Sequence, residues 1–289
     1  FIDNSGLISA TLASDFFAAG GTITAAVTAT DNAGNTSSEN YTITVDATGI
    51  YTTEIATSAM FDGSSYLSRP FGSGNRQTWT WSGWVKRGNL GTRQVLFTSF
   101  FANNNSSQFN ISFDTDNTLI IGLYTIYLVS STDLFRDTSA WYHVVVTFDS
   151  TETTAADRLK IRVNNRLLTS FSVDDRESIS GDYSINAAQT HYIGYGNFTS
   201  SYLNGYLADI YFIDGQALTP SSFGQYSTQG TDVYWIPKDY GHDNDSNPAY
   251  WGNNGFHLKF DDPSFTENSI TYGLGKDSSG RGNHWTPSA

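Results

Sequence analysis

Chemistry in this sequence has to come from carboxylates, amides, imidazoles and aromatic rings, because it contains no cysteine. The run Asp243-Asn244-Asp245-Ser246-Asn247 sets three oxygen-bearing side chains at alternate positions. Hard cations take that spacing, so Asp243, Asp245 and Asn247 are the candidate calcium ligands. An EF-hand loop would continue with Gly and close with Glu, whereas Pro248 and Asn254 stand there. A one-off calcium loop and a solvated Asx-rich turn both fit the run. A second cluster is QTWTWSGWVKR, which holds three of the seven tryptophans within positions 79–84. Trp79 and Trp81 are the candidate ligand-binding residues, since flat indole faces stack on sugar rings. Nucleophilic catalysis finds no support. There is no Gly-x-Ser-x-Gly elbow, and the Gly-rich stretches lack the lysine of a phosphate loop. His143 sits in WYHVVVTFD, where a structural role is expected, and His191, His242, His257 and His284 have no metal-type spacing.

Short strands must position these groups. Aromatic residues make up 15% of the 289, too many for a disordered chain, and long helical patterns are absent. Alternating runs predict strands over 94–101, 108–113, 118–123, 126–130, 141–149, 158–163, 166–171, 191–195 and 205–213. Asn164-Asn165 joins two of them as a two-residue hairpin turn, because Asn tolerates positive φ, and Asp114–Asn117 reads as a second turn. Many antiparallel strands of similar length predict two packed sheets. Alternation along the tryptophan strand puts Trp79, Trp81 and Val85 on one face and leaves Trp84 out of phase. Either Gly83 marks a bulge that resets the register, or Trp84 faces a second layer. Fifteen Lys and Arg against twenty-eight Asp and Glu give a net charge of −13, which disfavours nucleic acid and anionic membranes as partners. No run of about 18 apolar residues exists to insert in a membrane. An extracellular domain without cysteine points to a prokaryotic or viral product. The text opens in mid-pattern at Phe1 and breaks off at Ala289, so a piece of a longer polypeptide is expected.

Five segments taken in order, AMFDGSSYLS, TWTWSGWVKRG, SAWYHVVVTFD, DRLKIRVNNRLLTSF and YLNGYLADIYFIDGQALTPSSF, resemble the laminin-G-like, concanavalin A-like lectin/glucanase jelly roll over about residues 59–223. The resemblance implies an all-β sandwich of two curved antiparallel sheets. It implies a core position for Trp84, with Trp79 and Trp81 near the other face or at a bulged edge. Glucanases of this fold carry Glu-x-Asp-x-x-Glu on one strand, which holds two carboxylates about 5 Å apart. Glu39, Glu54, Glu152, Glu177 and Glu267 never form that pattern, so no catalytic residue is expected. Laminin-G-like domains often hold calcium at the sandwich rim, though no motif here fixes the ligands. AVTATDNAGNTSSENYTITVD resembles the last two strands of bacterial immunoglobulin-like repeats. The text around GNNGFHLKFDD and LGKDSSGRGNHW resembles segments that follow laminin-G-like domains in structural proteins of tailed bacteriophages. Within it, Asp277-Ser278-Ser279-Gly280 with Asn283 is expected to form a structural turn.

The expected organisation is a partial immunoglobulin-like module over 1–48, a jelly roll over 49–230 and a loop-rich Gly/Asn extension over 231–289. The expected function is a non-catalytic virion surface protein of tail- or head-fibre type, forming a homo-oligomer and contacting host cell-surface glycans or neighbouring virion subunits. The alternative is an extracellular adhesin on a bacterial cell surface.

Overall fold

The computed structural model describes residues 21–30, 36–45, 55–102, 104–105, 108–197, 201–229, 232–240, 247–262 and 273–288. The chain divides into two compact units, 1–52 and 53–289. In the first, Gly21–Thr30 pairs antiparallel with Thr36–Val45 in an unbroken register from Gly21↔Val45 to Thr30↔Thr36. The hairpin expected from the alternating Thr pattern is present, while its Asp31–Asn35 turn lies outside the described residues.

The second unit is a sandwich of two large antiparallel sheets. The seven-stranded sheet runs, in spatial order, Arg166–Leu167, Leu159–Val163, Tyr142–Asp149, Thr78–Arg87, Asn204–Asp214 and Phe256–Leu258, with Ala59–Asp62 also paired to Asn204–Asp214. The eight-stranded sheet runs Phe171–Asp174, Tyr127–Leu134, Thr118–Gly122, Gln108–Phe113, Gln94–Phe100, Thr190–Ile193, Tyr66–Pro70 and Thr286–Ser288. Among the described residues, α-helix is confined to Ala155–Arg158 and Pro248–Trp251, and no helix is long and apolar enough to cross a membrane.

Turn chemistry fixes the register locally. Asn164 and Asn165 take φ of 49° and 65°, the two left-handed residues of a primed hairpin turn, and leave Val163 opposite Arg166. Asn117 takes φ of 73° and closes the Asp114–Asn117 turn with a backbone bond to the Asp114 carbonyl.

The tryptophan strand corrects the expected facing of its rings. Its ladder with Tyr142–Asp149 is continuous from Val85↔Tyr142 to Thr78↔Asp149, so no bulge resets it. Trp79, Trp81 and Val85 belong to the core between the sheets, and Trp84 lies on the opposite face. Trp79 stacks on Phe148 at 5.1 Å and meets Phe109 edge-on at 5.6 Å. Gly83 shares the inner face with Trp81. A Cβ there would stand 2.5 Å from Ile210 Cδ1 and 2.9 Å from Trp81 Cη2, so glycine makes the room that the indole fills.

The bulge lies in the neighbouring strand. Ala208 pairs with Trp84 and Tyr211 pairs with Ser82, so Asp209 and Ile210 together face Gly83. Asp209 absorbs the extra residue at φ 52°.

The segment expected as an extension takes part in the sandwich. Phe256–Leu258 joins one sheet and Thr286–Ser288 the other. Phe256, Leu258, Phe260 and Trp285 lie in the main core. Trp251 and Tyr240 join Val145, Tyr211, Ile213 and Phe223 in a smaller core outside the seven-stranded sheet. The Asp277 turn has the structural role read from the sequence: its carboxylate accepts from the backbone N–H groups of His257, Ser279 and Asn283 and from the Ser279 hydroxyl.

Candidate functional site

Trp79 and Trp81, at 1% and 0% exposure, are enclosed between the sheets, so neither offers a face to a ligand. This corrects the reading of both as stacking residues: their side of the strand is the side that the second sheet covers. Asp243 and Asp245 lie outside the described residues. Asn247 is exposed, and its carboxamide oxygen accepts the Ala249 N–H at 3.0 Å, as in an Asx turn. Among the described residues no group of three or more His, Asp or Glu is placed to hold a metal ion.

The outer face of the seven-stranded sheet is built differently. Two hollows, of about 150 and about 300 Å³, share Ile55, Ala56, Thr57 and Pro237 as a common wall. The two hollows adjoin across this wall and differ in chemistry. The aromatic hollow is lined by Trp84, Trp141 and Ala208. The acidic hollow is lined by Asp209, Asp239, Asp261 and Lys259.

The bulge explains the acidic hollow. It turns two consecutive residues, Ala208 and Asp209, to the outer side, and a left-handed backbone is one that Asp tolerates. Tyr211 and His257 are cross-strand partners whose rings stack at 3.9 Å. Asp209 Oδ1 faces His257 Nε2, and Asp209 Oδ2 accepts the Tyr211 hydroxyl at 3.1 Å. That hydroxyl is also 3.5 Å from Asp239 Oδ1, while Lys259 Nζ donates to Asp239 Oδ2 at 3.0 Å. Burial, then the charges of Asp209 and Asp239, hold the Tyr211 hydroxyl well above the ordinary phenol range, so it stays a donor. A pair of carboxylates therefore meets in a hollow although no sequence pattern announced one. Asp209 and Asp239 lie thirty positions apart, and both approach the Tyr211 hydroxyl.

At the aromatic hollow Trp84 lies over His143, with ring centres 4.8 Å apart. His143 Nε2 is 2.9 Å from Ser82 Oγ, the separation of a nucleophile and its base. The tautomer removes that chemistry. Trp235 Nε1, which can only donate, is 2.8 Å from His143 Nδ1. Nδ1 must therefore accept, and the one proton of the neutral ring sits on Nε2 and points at Ser82. Burial pushes the His143 pKa down to about 3, so the ring is neutral at ordinary pH. The imidazole pins the 224–237 hairpin to the sheet, the structural role expected for it.

The sequence singled out two enclosed tryptophans and passed over the residues that line the hollows. One local signal was present: LADIYFI places an aspartate inside an apolar strand opposite Gly83. Trp141 stood at the edge of a predicted strand, where only the covering segments 55–58 and 232–237 reveal its surroundings.

The fold has known relatives. Among solved structures, a candidate carbohydrate binding protein from Bacteroides ovatus aligns with a TM-score of 0.51 and 15% identity, covering 80% of this chain and 58% of that one. A heptameric SAP-like pentraxin from Limulus polyphemus aligns with a TM-score of 0.40 and 22% identity over 55% of this chain and 76% of that one. Domain 4 of an extracellular arabinanase from Geobacillus stearothermophilus, in complex with arabinotriose, gives 0.42 and 16% over 70% and 84%. This chain thus spans somewhat more than half the length of the Bacteroides protein. No curated protein sequence matches it. Residues 61–223, more than half of the chain, match a laminin-G-type family described as the concanavalin A-like lectin/glucanases superfamily, and the chain belongs to that family.

Proposed function

We propose that this chain is a non-catalytic glycan-binding domain whose ligand lies in the hollows outside the seven-stranded sheet. The observation that carries the reading is a pair of adjoining hollows, one lined by Trp84 and Trp141 and the other by Asp209, Asp239 and Lys259. Indole faces stack on the C–H faces of sugar rings, and carboxylates and ammonium groups bond their hydroxyls. The name of the Bacteroides ovatus protein, which refers to carbohydrate binding, is consistent with the reading.

Binding without cleavage follows from how the acids are held. Glycoside hydrolysis needs one carboxyl that gives up a proton and a second that attacks or activates water. Here Asp209 accepts from His257 and Tyr211, and Asp239 from Lys259, with Tyr211 nearby. Each carboxylate is thus already engaged by side chains of the protein itself. A glycan array read with the wild type and Trp141→Ala tests the site, and unchanged binding in the variant rejects it. Release of reducing sugar that Asp209→Asn abolishes would make the hollows an active site instead.

The setting we propose is a virion surface, in a tail- or head-fibre component that forms a homo-oligomer and contacts host glycans or neighbouring subunits. The text of the 252–285 segment supports it. A bacterial surface adhesin is the second reading, favoured by the Gly21–Thr30 and Thr36–Val45 hairpin and its repeat-like text. Imaging that finds the chain repeated with phage symmetry selects the first, and a sorting signal flanking it in the full gene selects the second. Calcium at the Asp243–Asn247 run belongs to the proposal as a stabilising ion.

A further inference from the structure

A chain with a net charge of −13 repels its own copies wherever their acidic surfaces meet, so copies pair most readily on a face without charge. Resting on the homo-oligomer reading above, we infer that such a face is the ring cluster of Tyr66, Phe100, Tyr192, Tyr195 and Tyr202, with Phe101 at its rim. Two copies of this chain associate through it, face to face.

Strand parity puts the cluster on the outer side of the eight-stranded sheet. His191 and Ile193 are buried, and His191 packs on Phe71 and Phe97 of the core, so Tyr192 between them points away from it. Leu67 pairs with Ile193 and lies in the core, which turns Tyr66 outward. Ser99 pairs with His191, which turns Phe100 outward. Tyr195 and Tyr202 come from the short hairpin of Tyr195–Gly196 and Ser201–Tyr202. Tyr192 stacks on Phe100 with ring centres 4.7 Å apart, and Tyr66 stacks on Tyr195 at 5.1 Å. Tyr195 also meets Tyr202 at 4.9 Å and Tyr192 edge-on at 5.5 Å. All five rings are half-buried, while Phe101 is 71% exposed.

Charge selects the partner. Among the described residues the cation–π contacts fall on Phe71, Phe113, Tyr127 and Phe171, outside the cluster. Burial, then neighbouring tyrosines, hold the Tyr192 and Tyr195 hydroxyls above the ordinary phenol range, and no carboxylate or cation acts on them. Neutral rings can meet their own copies about a two-fold axis without bringing like charges together. Tyr and Phe are also the side chains enriched at subunit interfaces. A sugar site gains from carboxylates that bond hydroxyls, which line a hollow outside the other sheet and are not among these rings.

The test is sedimentation equilibrium of the 289-residue chain up to about 100 µM, at low and at high salt. The wild type should reach twice the mass of one chain, and its dissociation constant should fall about tenfold as salt screens the acidic repulsion. Phe101→Asp, a change at an exposed position, should raise that constant about tenfold and leave the unfolding midpoint unchanged. Tyr226→Asp, at an exposed ring of the 224–237 hairpin, should leave association unchanged. Association that Phe101→Asp does not weaken, or that salt loosens, overturns this surface and leaves the homo-oligomer reading standing. A wild type that stays monomeric in both salts defeats that reading and this surface together. Binding of a cello-oligosaccharide by that monomer, removed by Phe101→Asp, would assign the rings to a sugar instead.

Discussion

Trp81 and Trp84 stand on one strand and look out of opposite sides of one sheet. On the inner side Trp81 meets Phe97 and the glycine-made space beside Ile210, and no solvent reaches it. On the outer side Trp84 meets a histidine ring and the wall of a hollow. The residue type is the same, and what differs is parity along the strand and what covers each face. Burying an indole on the inner side contributes roughly 2–3 kcal/mol to stability. On the outer side Trp84 keeps 8% of its surface exposed, against 0% for Trp81. Aromatic content therefore says little about binding until the covered face of the strand is known.

The sharpest way to break this contrast is to truncate both sides. Trp81→Ala should destabilise the unit by about 3–5 kcal/mol, read by denaturant unfolding, because the space between the sheets cannot collapse onto the hole. Gly83→Val should cost about 1–3 kcal/mol by forcing its side chain into Ile210 and Trp81. Trp141→Ala should change stability by less than about 1 kcal/mol while abolishing glycan binding. If Trp141→Ala instead unfolds the protein, the outer face is core and the contrast fails.

Histidines sharpen the comparison: His143 and His257 are buried outside the seven-stranded sheet, and His191 is buried against the main core. His191, against Phe71 and Phe97, accepts the Asn186 N–H on Nε2 and meets the Gln189 carbonyl through Nδ1. Burial holds both His143 and His191 near a pKa of about 3. Above the ordinary value of 6.5 each is neutral in folded and unfolded chains and adds no pH dependence. Between about 6.5 and about 3 the unfolded chain binds protons that the folded one does not, so stability falls as pH falls. Unfolding measured from pH 7 to 4 should show this loss, and His143→Gln should flatten it by about one proton's worth of slope. An unchanged slope would mean that the outer histidine is solvated.

The smallest expected effect concerns calcium. Chelation should lower the unfolding midpoint by only about 2 °C, the size of a weak site on a loop. No shift removes the ion from the proposal.

Strands and turns could be read from the sequence because their causes are local. The 108–113 run alternates in its own text, and Asn164-Asn165 carries its positive φ in its side-chain type. The facing of the tryptophan strand could not be read so directly, because it depends on a second sheet made from distant segments. The hollows were harder still. Asp209, Asp239 and Asp261 belong to three separate stretches, and the bulge that exposes the first answers a glycine in another strand. The 231–289 text looks loop-like because Gly and Asn dominate it. Of its large residues, Tyr240, Trp251, Phe256, Leu258, Phe260 and Trp285 are buried, while Val233, Tyr234 and Tyr250 are exposed.

One late strand has a kinetic meaning. Thr286–Ser288 seals the edge of Tyr66–Pro70, with Pro287, which has no amide proton, opposite Leu67. During synthesis the earlier strand leaves the ribosome long before its partner exists. Until then it is a bare hydrogen-bonding rim that a neighbouring nascent chain can pair with. Such distant closure also makes folding slow, so correct maturation of this protein depends on keeping newly made copies apart until Thr286–Ser288 has been added.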